Sequence, residues 1–177
     1  LRHAQFERLL PLIEATYEDI NRDASAAVTL GYHYHPGWDA SRYTLAERLA
    51  ASQQTDRDLG YTRHGPHRAD VRIRAGSQPA IEVLSRGQLK TAICCIRIAQ
   101  AQLLAQYGIK SVFLVDDLSA ELDPYRRRLL IKALLGLEMQ LVFTSIQAAD
   151  LSDCFDGVPL QALRRFHVKH GAVSRYE

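Results

Sequence analysis

Two short segments carry residue types that can act on phosphate. Leu84-Ser85-Arg86-Gly87-Gln88 opens a long helical stretch, and the apolar run from Val112 to Val115 ends in Asp116-Asp117, followed by Ser119-Ala120-Glu121-Leu122-Asp123. Ser85 stands where a helix N-cap belongs, and Gly87 leaves the backbone of the first turn bare, so an anion can approach the unpaired amides. Of two successive carboxylates at the end of a buried strand, one can hold Mg²⁺ through water while the next polarises an attacking water. The two segments together point to nucleotide chemistry.

The elements between them are expected to bring them to one edge. Ser85 precedes Asp116 by 31 residues, room for a helix of about 22 residues at ~1.5 Å each and a returning strand of about eight at ~3.3 Å each. A right-handed crossover then returns the strand end to the edge where the helix starts. Upstream, Phe6, Leu9, Leu10, Ile13, Tyr17 and Ile20 recur at helical spacing through Pro11, and Val28, Leu30, Tyr32 and Tyr34 alternate as a strand that Pro36-Gly37 stops. A second, more polar helix runs from Ser41 to about Leu59, and the change of texture at Gly60 places a boundary between a small, mainly helical lobe, 1–60, and a second part, 61–177.

In that second part Val71 and Ile73 interleave with Arg72 and Arg74 in a one-faced strand, 75–79 is a turn, and Ile81 to Leu84 read as a brief strand into the helix that Gly108 stops. A strand over 109–117, a helix over 124–137 with Pro124 at its first turn and a strand over 140–146 alternate as in a parallel sheet covered by helices. The run Val112 to Val115 is apolar on both faces, as in the centre of such a sheet. The tail, 164–170 and 172–176 around Gly171, predicts a terminal hairpin.

Composition narrows the class. An apolar fraction of 47% over 177 residues suffices for a core, which argues for a globular protein rather than a disordered tail. No apolar stretch nears the ~20 residues of a membrane helix, and the expected location is the cytoplasm. The net charge of +2 is too small for an electrostatic case for nucleic acid, although the basic residues are 18 Arg against 4 Lys and Arg favours bidentate phosphate contacts. Arg57, Arg63, Arg68, Arg72 and Arg74 are the candidates to face a DNA backbone, without forming a stripe. Cys94, Cys95 and Cys154 form no C-x-x-C pair and read as buried thiols, and His33, His35, His64 and His67 lack the cysteine partners of a zinc site. The chain opens on Leu1 and its one methionine is Met139, so a fragment or processed product is expected.

The Leu-Ser-Arg-Gly-Gln turn, the Val-Asp-Asp strand end and the Ser-Ala-Glu-Leu-Asp loop resemble the ABC-type ATPases of the SMC group. Within it, Tyr61-Thr-Arg-His-Gly-Pro-His-Arg-Ala-Asp70 followed by Leu84 to Lys90 is similar to the RecF family of recombination mediators. The resemblance implies an α/β fold, the C-terminal half of an ABC-type ATPase head with signature helix and terminal hairpin, preceded by the helical lobe. It makes Asp116 the Mg²⁺-associated carboxylate and Asp117 the water-activating base. Ser85, Arg86, Gly87 and Gln88 become the signature turn at the γ-phosphate of ATP, with Ser119 and Asp123 in the loop that meets the opposite subunit. It also implies an ATP-dependent homodimer acting on duplex DNA and single-strand gap junctions with RecR-like and RecO-like partners. Two departures stand out: Asp117 where many relatives carry Glu, and Thr144-Ser145-Ile146 without the His that transporter-type relatives place there.

No Gly-x-x-x-x-Gly-Lys-Ser/Thr loop occurs in the sequence, so the chain alone is expected neither to bind ATP tightly nor to hydrolyse it. Two other readings are a Mg²⁺-dependent nuclease built on Asp116, Asp117, Glu121 and Asp123, and a non-catalytic module that binds a partner protein through the helical lobe.

Overall fold

The computed structural model describes residues 2–22, 28–117, 122–137, 139–147 and 149–176. Helix α1 (Arg2–Asn21) runs through Pro11 and buries Phe6, Leu9, Ile13, Tyr17 and Ile20. Spacings of three and four put these residues on one face, and that face lies along α4 (Arg86–Gln106). Helix α4 answers with Ala92, Cys95, Ile98, Ala99 and Leu103, of which Ala92, Cys95 and Ala99 are small enough to let the two helices approach closely. A third helix, α5 (Pro124–Leu135), closes the cluster with Leu130, Ile131 and Leu134. Ile13, Ile98, Leu130 and Ile131 are among the largest fully buried side chains. Burial pushes the Cys95 thiol up to about 12, which leaves it an inert core residue.

Strands β1 (Leu30–His35), β2 (Asp70–Ala75) and β3 (Gln78–Pro79) form an antiparallel sheet in that order. Its β1–β2 register runs from Leu30↔Ala75 to His35↔Asp70. Strands β1 and β2 each present side chains to the core and need a neighbour to satisfy their edges, and their pairing spans the boundary expected near Gly60. Between them lies α2 (Leu45–Leu59), which starts at the Thr44 capping box with Glu47 rather than at Ser41. The loop after it is pinned by Gly37: a Cβ there would sit 2.0 Å from the Gly65 carbonyl oxygen, and the Gly65 amide donates to Gly37 O at 3.2 Å.

The sequence expectation of a strand over 81–84 gives way to a single helical turn, α3 (Ala80–Val83). The Leu84 amide closes it by donating to Ala80 O at 2.8 Å, and only one residue separates it from the Ser85 cap, too little for a strand to leave the sheet and pair elsewhere.

Strands β4 (Val112–Val115) and β5 (Gln140–Phe143) pair in parallel, as the alternation of strands and helices predicts. Both are shorter than expected. Only one face is covered: Phe113, Val115, Leu141 and Phe143 pack on the core, whereas Val112 is 54% and Leu114 73% exposed, against the two-sided burial inferred from their apolar side chains. A short helix, α6 (Ala149–Ser152), follows. The chain ends in the expected hairpin, β6 (Arg165–Lys169) and β7 (Ala172–Tyr176). His170 (φ 48°) and Gly171 (φ 78°) supply the two left-handed residues of its turn, the combination that matches strand twist.

Candidate functional site

The first turn of α4 is built by a capping box. Ser85 is extended (φ −62°, ψ 159°), its Oγ accepts the Gln88 amide at 3.3 Å, and the Gln88 Oε1 accepts the Ser85 amide at 2.9 Å. Two of the helix's orphan donors are thereby satisfied. The Ser85 hydroxyl proton is not used in that bond, and Ser85 and Arg86 are exposed. Gly87 keeps an ordinary helical backbone, its carbonyl accepting the Thr91 hydroxyl at 2.8 Å, so no positive φ requires a glycine there. The space that a Cβ would take at Gly87 ends 3.2 Å away at the Nη1 of Arg126.

Arg126 belongs to the head of α5. There Asp123 is the N-cap, its carboxylate accepting the Arg126 amide at 3.0 Å and pairing with the Arg126 guanidinium at 3.4 Å. Asp123, Arg126 and the turn at Gly87 thus form one continuous assembly. A helix of 21 residues advances about 31 Å, and the four residues of β4 return only about 13 Å. The neighbour recorded beside the Gly87 turn is Arg126, at the head of α5. Sequence reasoning missed Arg126, whose place beside Gly87 depends on the packing of α5 against α4.

The second assembly sits at the ends of β4 and β5. Asp116 is exposed and accepts the hydroxyl proton of Thr144 on its Oδ1. The next residue, Asp117, has left-handed backbone (φ 41°), a conformation that a short polar side chain tolerates better than most, and its amide donates to the Thr144 Oγ1 at 3.1 Å. The Thr144 amide in turn donates to Val115 O at 3.0 Å, extending the parallel ladder by one bond. Sequence reasoning noticed Thr144 only for the absence of a histidine; its place at the end of the neighbouring parallel strand was the available signal. Ser119 and Glu121 lie outside the described residues.

Several of the other candidates have local partners. Arg63 pairs with Asp56 at 3.2 Å, Arg68 lies over the Tyr61 ring at 5.5 Å, and Arg74 donates to Ser77 O. His64 meets Arg48 at 2.9 Å, His67 meets Thr62 O at 2.7 Å, and His35 accepts the Gly37 amide at 3.1 Å. Burial, reinforced by the guanidinium groups of Arg48 and Arg63, holds His64 below its usual range. Among the described residues no three His, Cys, Asp or Glu side chains converge on a metal position.

The chain is 44% identical over 142 residues to the DNA replication and repair protein RecF of Shewanella oneidensis, covering 80% of this chain and 38% of that protein. It is 34% identical over 174 residues to RecF of Marinobacter nauticus, covering 98% of this chain and 46% of that one. This chain is a RecF relative. It spans less than half the length of the curated relatives it matches. Among solved structures, the recombination mediator protein RecF-ATPrS in the RecFOR pathway superposes with a TM-score of 0.70 at 22% identity, over 99% of this chain and 46% of that one. RecF-ATP superposes with a TM-score of 0.68, over 99% and 45%. At that identity the likeness shows the fold, an α/β arrangement with the parallel strand pair and its helices. No protein-family model matches the chain. No helix of the described residues is long and apolar enough to cross a membrane.

Proposed function

We propose that this chain forms one part of a RecF-type, ATP-dependent DNA-binding protein of recombination, repair and replication restart. In that role it supplies the signature turn and the metal-side carboxylates of a nucleotide sandwiched between two subunits. The observation that carries the proposal is the first turn of α4: an exposed Ser85, a glycine that the backbone does not require, and the Arg126 guanidinium beside it. Bare amides, a helix N-terminus and a cation are the groups that favour a γ-phosphate. The donor set fits an incoming phosphate of ATP, which the Ser85 hydroxyl and the Gly87 backbone would hold from the side opposite a phosphate-binding loop.

The carboxylates fit Mg²⁺ in the same sense. This ion keeps much of its water and takes one or two carboxylates plus phosphate oxygens, so it needs no cage of protein ligands. Asp116 would hold it, and Asp117 would orient the attacking water and take its proton. Held there, Mg²⁺ would supply charge neutralisation to a phosphoryl group under attack. Asp123, with Ser119, would face the other subunit. Residues 1–60 are proposed to act as the lobe beside this head. Duplex DNA and single-strand gap junctions are the proposed nucleic-acid targets, with RecR-like and RecO-like proteins as partners, in the cytoplasm and within the SOS response.

A two-metal nuclease would need Asp116, Asp117, Glu121 and Asp123 to gather on one site. Asp123 is instead paired with Arg126, and nothing favours that reading. The test is to combine the chain with the portion of a RecF relative that it does not cover and to measure dimerisation by ultracentrifugation. Association should require ATP and be lost in Ser85→Arg. Dimerisation that ignores both would refute the assignment.

A further inference from the structure

We propose that Thr144 is the positioning residue of the carboxylate pair: one hydroxyl orients Asp116 and holds the left-handed turn at Asp117. The inference rests on the proposed metal role of Asp116, and it concerns a residue to which the sequence reading gave no role. The Thr144 hydroxyl is used in both directions, donating to Asp116 Oδ1 and accepting the Asp117 amide. Its own amide continues the ladder to Val115, so the end of β5 is locked to the end of β4 at three successive residues, Val115, Asp116 and Asp117. A carboxylate whose one oxygen is held by a neutral donor keeps the second in a fixed direction for a metal or its water. Partners of this kind orient metal ligands, and their removal typically costs about 10–100-fold in metal affinity or activity.

The turn at Asp117 adds a second reason. A non-glycine residue at φ 41° is held in a sparsely populated backbone conformation, and the bond to Thr144 Oγ1 is a restraint that keeps it there. The base would therefore be placed by a side chain from the next strand rather than by its own. This gives the Thr144-Ser145-Ile146 segment, which lacks a histidine, a task at the same position in the fold.

The experiment uses the 177-residue chain with Thr144→Val, which keeps the branched shape without the hydroxyl, and Thr144→Ser, which restores the hydroxyl. Thr144 is exposed, so neither change disturbs the core. Mn²⁺ alone is the probe, read by paramagnetic broadening of the 116 and 117 amides, and exchange of the Asp117 amide is followed in parallel. In Thr144→Val we expect Mn²⁺ affinity about 10–100-fold weaker and faster Asp117 exchange, with both restored in Thr144→Ser. Unchanged Mn²⁺ affinity in Thr144→Val overturns the proposal. If the unaltered chain shows no Mn²⁺ effect at these amides, the metal assignment of Asp116 fails instead. The exchange rate then decides on Thr144: faster in Val and restored in Ser supports positioning, and no change overturns it.

Discussion

Gly87 allows the fold and the site to be separated in one substitution. In Gly87→Ala the helix gains up to about 1 kcal/mol of intrinsic propensity, and roughly half of that at a first-turn position. Against this, the new methyl would stand 3.2 Å from the Arg126 Nη1, so the guanidinium must move a few tenths of an ångström. What it loses is an ion pair to Asp123 at 3.4 Å between side chains 27% and 49% exposed, an interaction worth about 0–1 kcal/mol. The two effects offset each other to within about 0.5 kcal/mol, and urea unfolding of the chain should give a midpoint close to that of the unaltered protein. The effect on the site is larger. The methyl covers amides proposed to contact phosphate, and each charge-assisted bond lost weakens nucleotide-dependent association by about 1.5–3 kcal/mol, roughly 10–160-fold. The association assay with the uncovered portion of a RecF relative reads this directly. A Gly87→Ala chain that unfolds several kcal/mol more easily would show that packing demands the glycine, and normal association would show that no phosphate approaches it. Either result breaks the argument for the signature turn.

Ser85→Ala removes the cap and leaves the Gln88 amide unpaired, which should cost about 1 kcal/mol and lower the melting temperature by about 2–4 °C; a thermal melt without such a drop would mean that the capping box carries no weight. Tyr32→Phe should leave stability unchanged or raise it, because the Tyr32 hydroxyl is buried with no hydrogen-bond partner among the described residues and removing an unsatisfied group relieves its desolvation. Destabilisation in calorimetry would reveal a partner for that hydroxyl. Acidification should weaken the α2 region before the core. Burial and the cations Arg48 and Arg63 depress the His64 pKa, with Asp56 opposing, so the unfolded chain binds the proton more readily. Stability from this group is complete above its ordinary pKa of about 6.5 and is lost as pH falls through the depressed folded value. Thermal melts from pH 7.5 downward should show a loss that His64→Gln abolishes.

What could be read from residues in order is what neighbours along the chain decide. The Ser85 cap, the turn around Gly171 and the amphipathic face of α1 all follow from interactions within a few residues, as does the Thr44–Glu47 cap, which the expectation of a helix from Ser41 overlooked. Chemistry-bearing residue types at Ser85, Gly87, Asp116 and Asp117 were legible for the same reason, and so was the parallel β4–β5 pair, because an intervening helix of sufficient length permits that crossover.

The tertiary structure alone decided how these pieces meet. Arg126 against Gly87 depends on α5 packing beside α4 through Leu130 and Ile131, and Thr144 on Asp116 depends on which strand pairs with β4 and in which register. The coverage of β4 went against the pattern for the same reason. Apolar side chains on both faces state what a strand can bury, whereas which face is buried is set by what packs on it, and here the core reaches Phe113 and Val115 but leaves Val112 and Leu114 exposed. Burial and contacts between distant segments are properties of the packed chain, and the free energy that selects them is spread over many residues rather than written at any one.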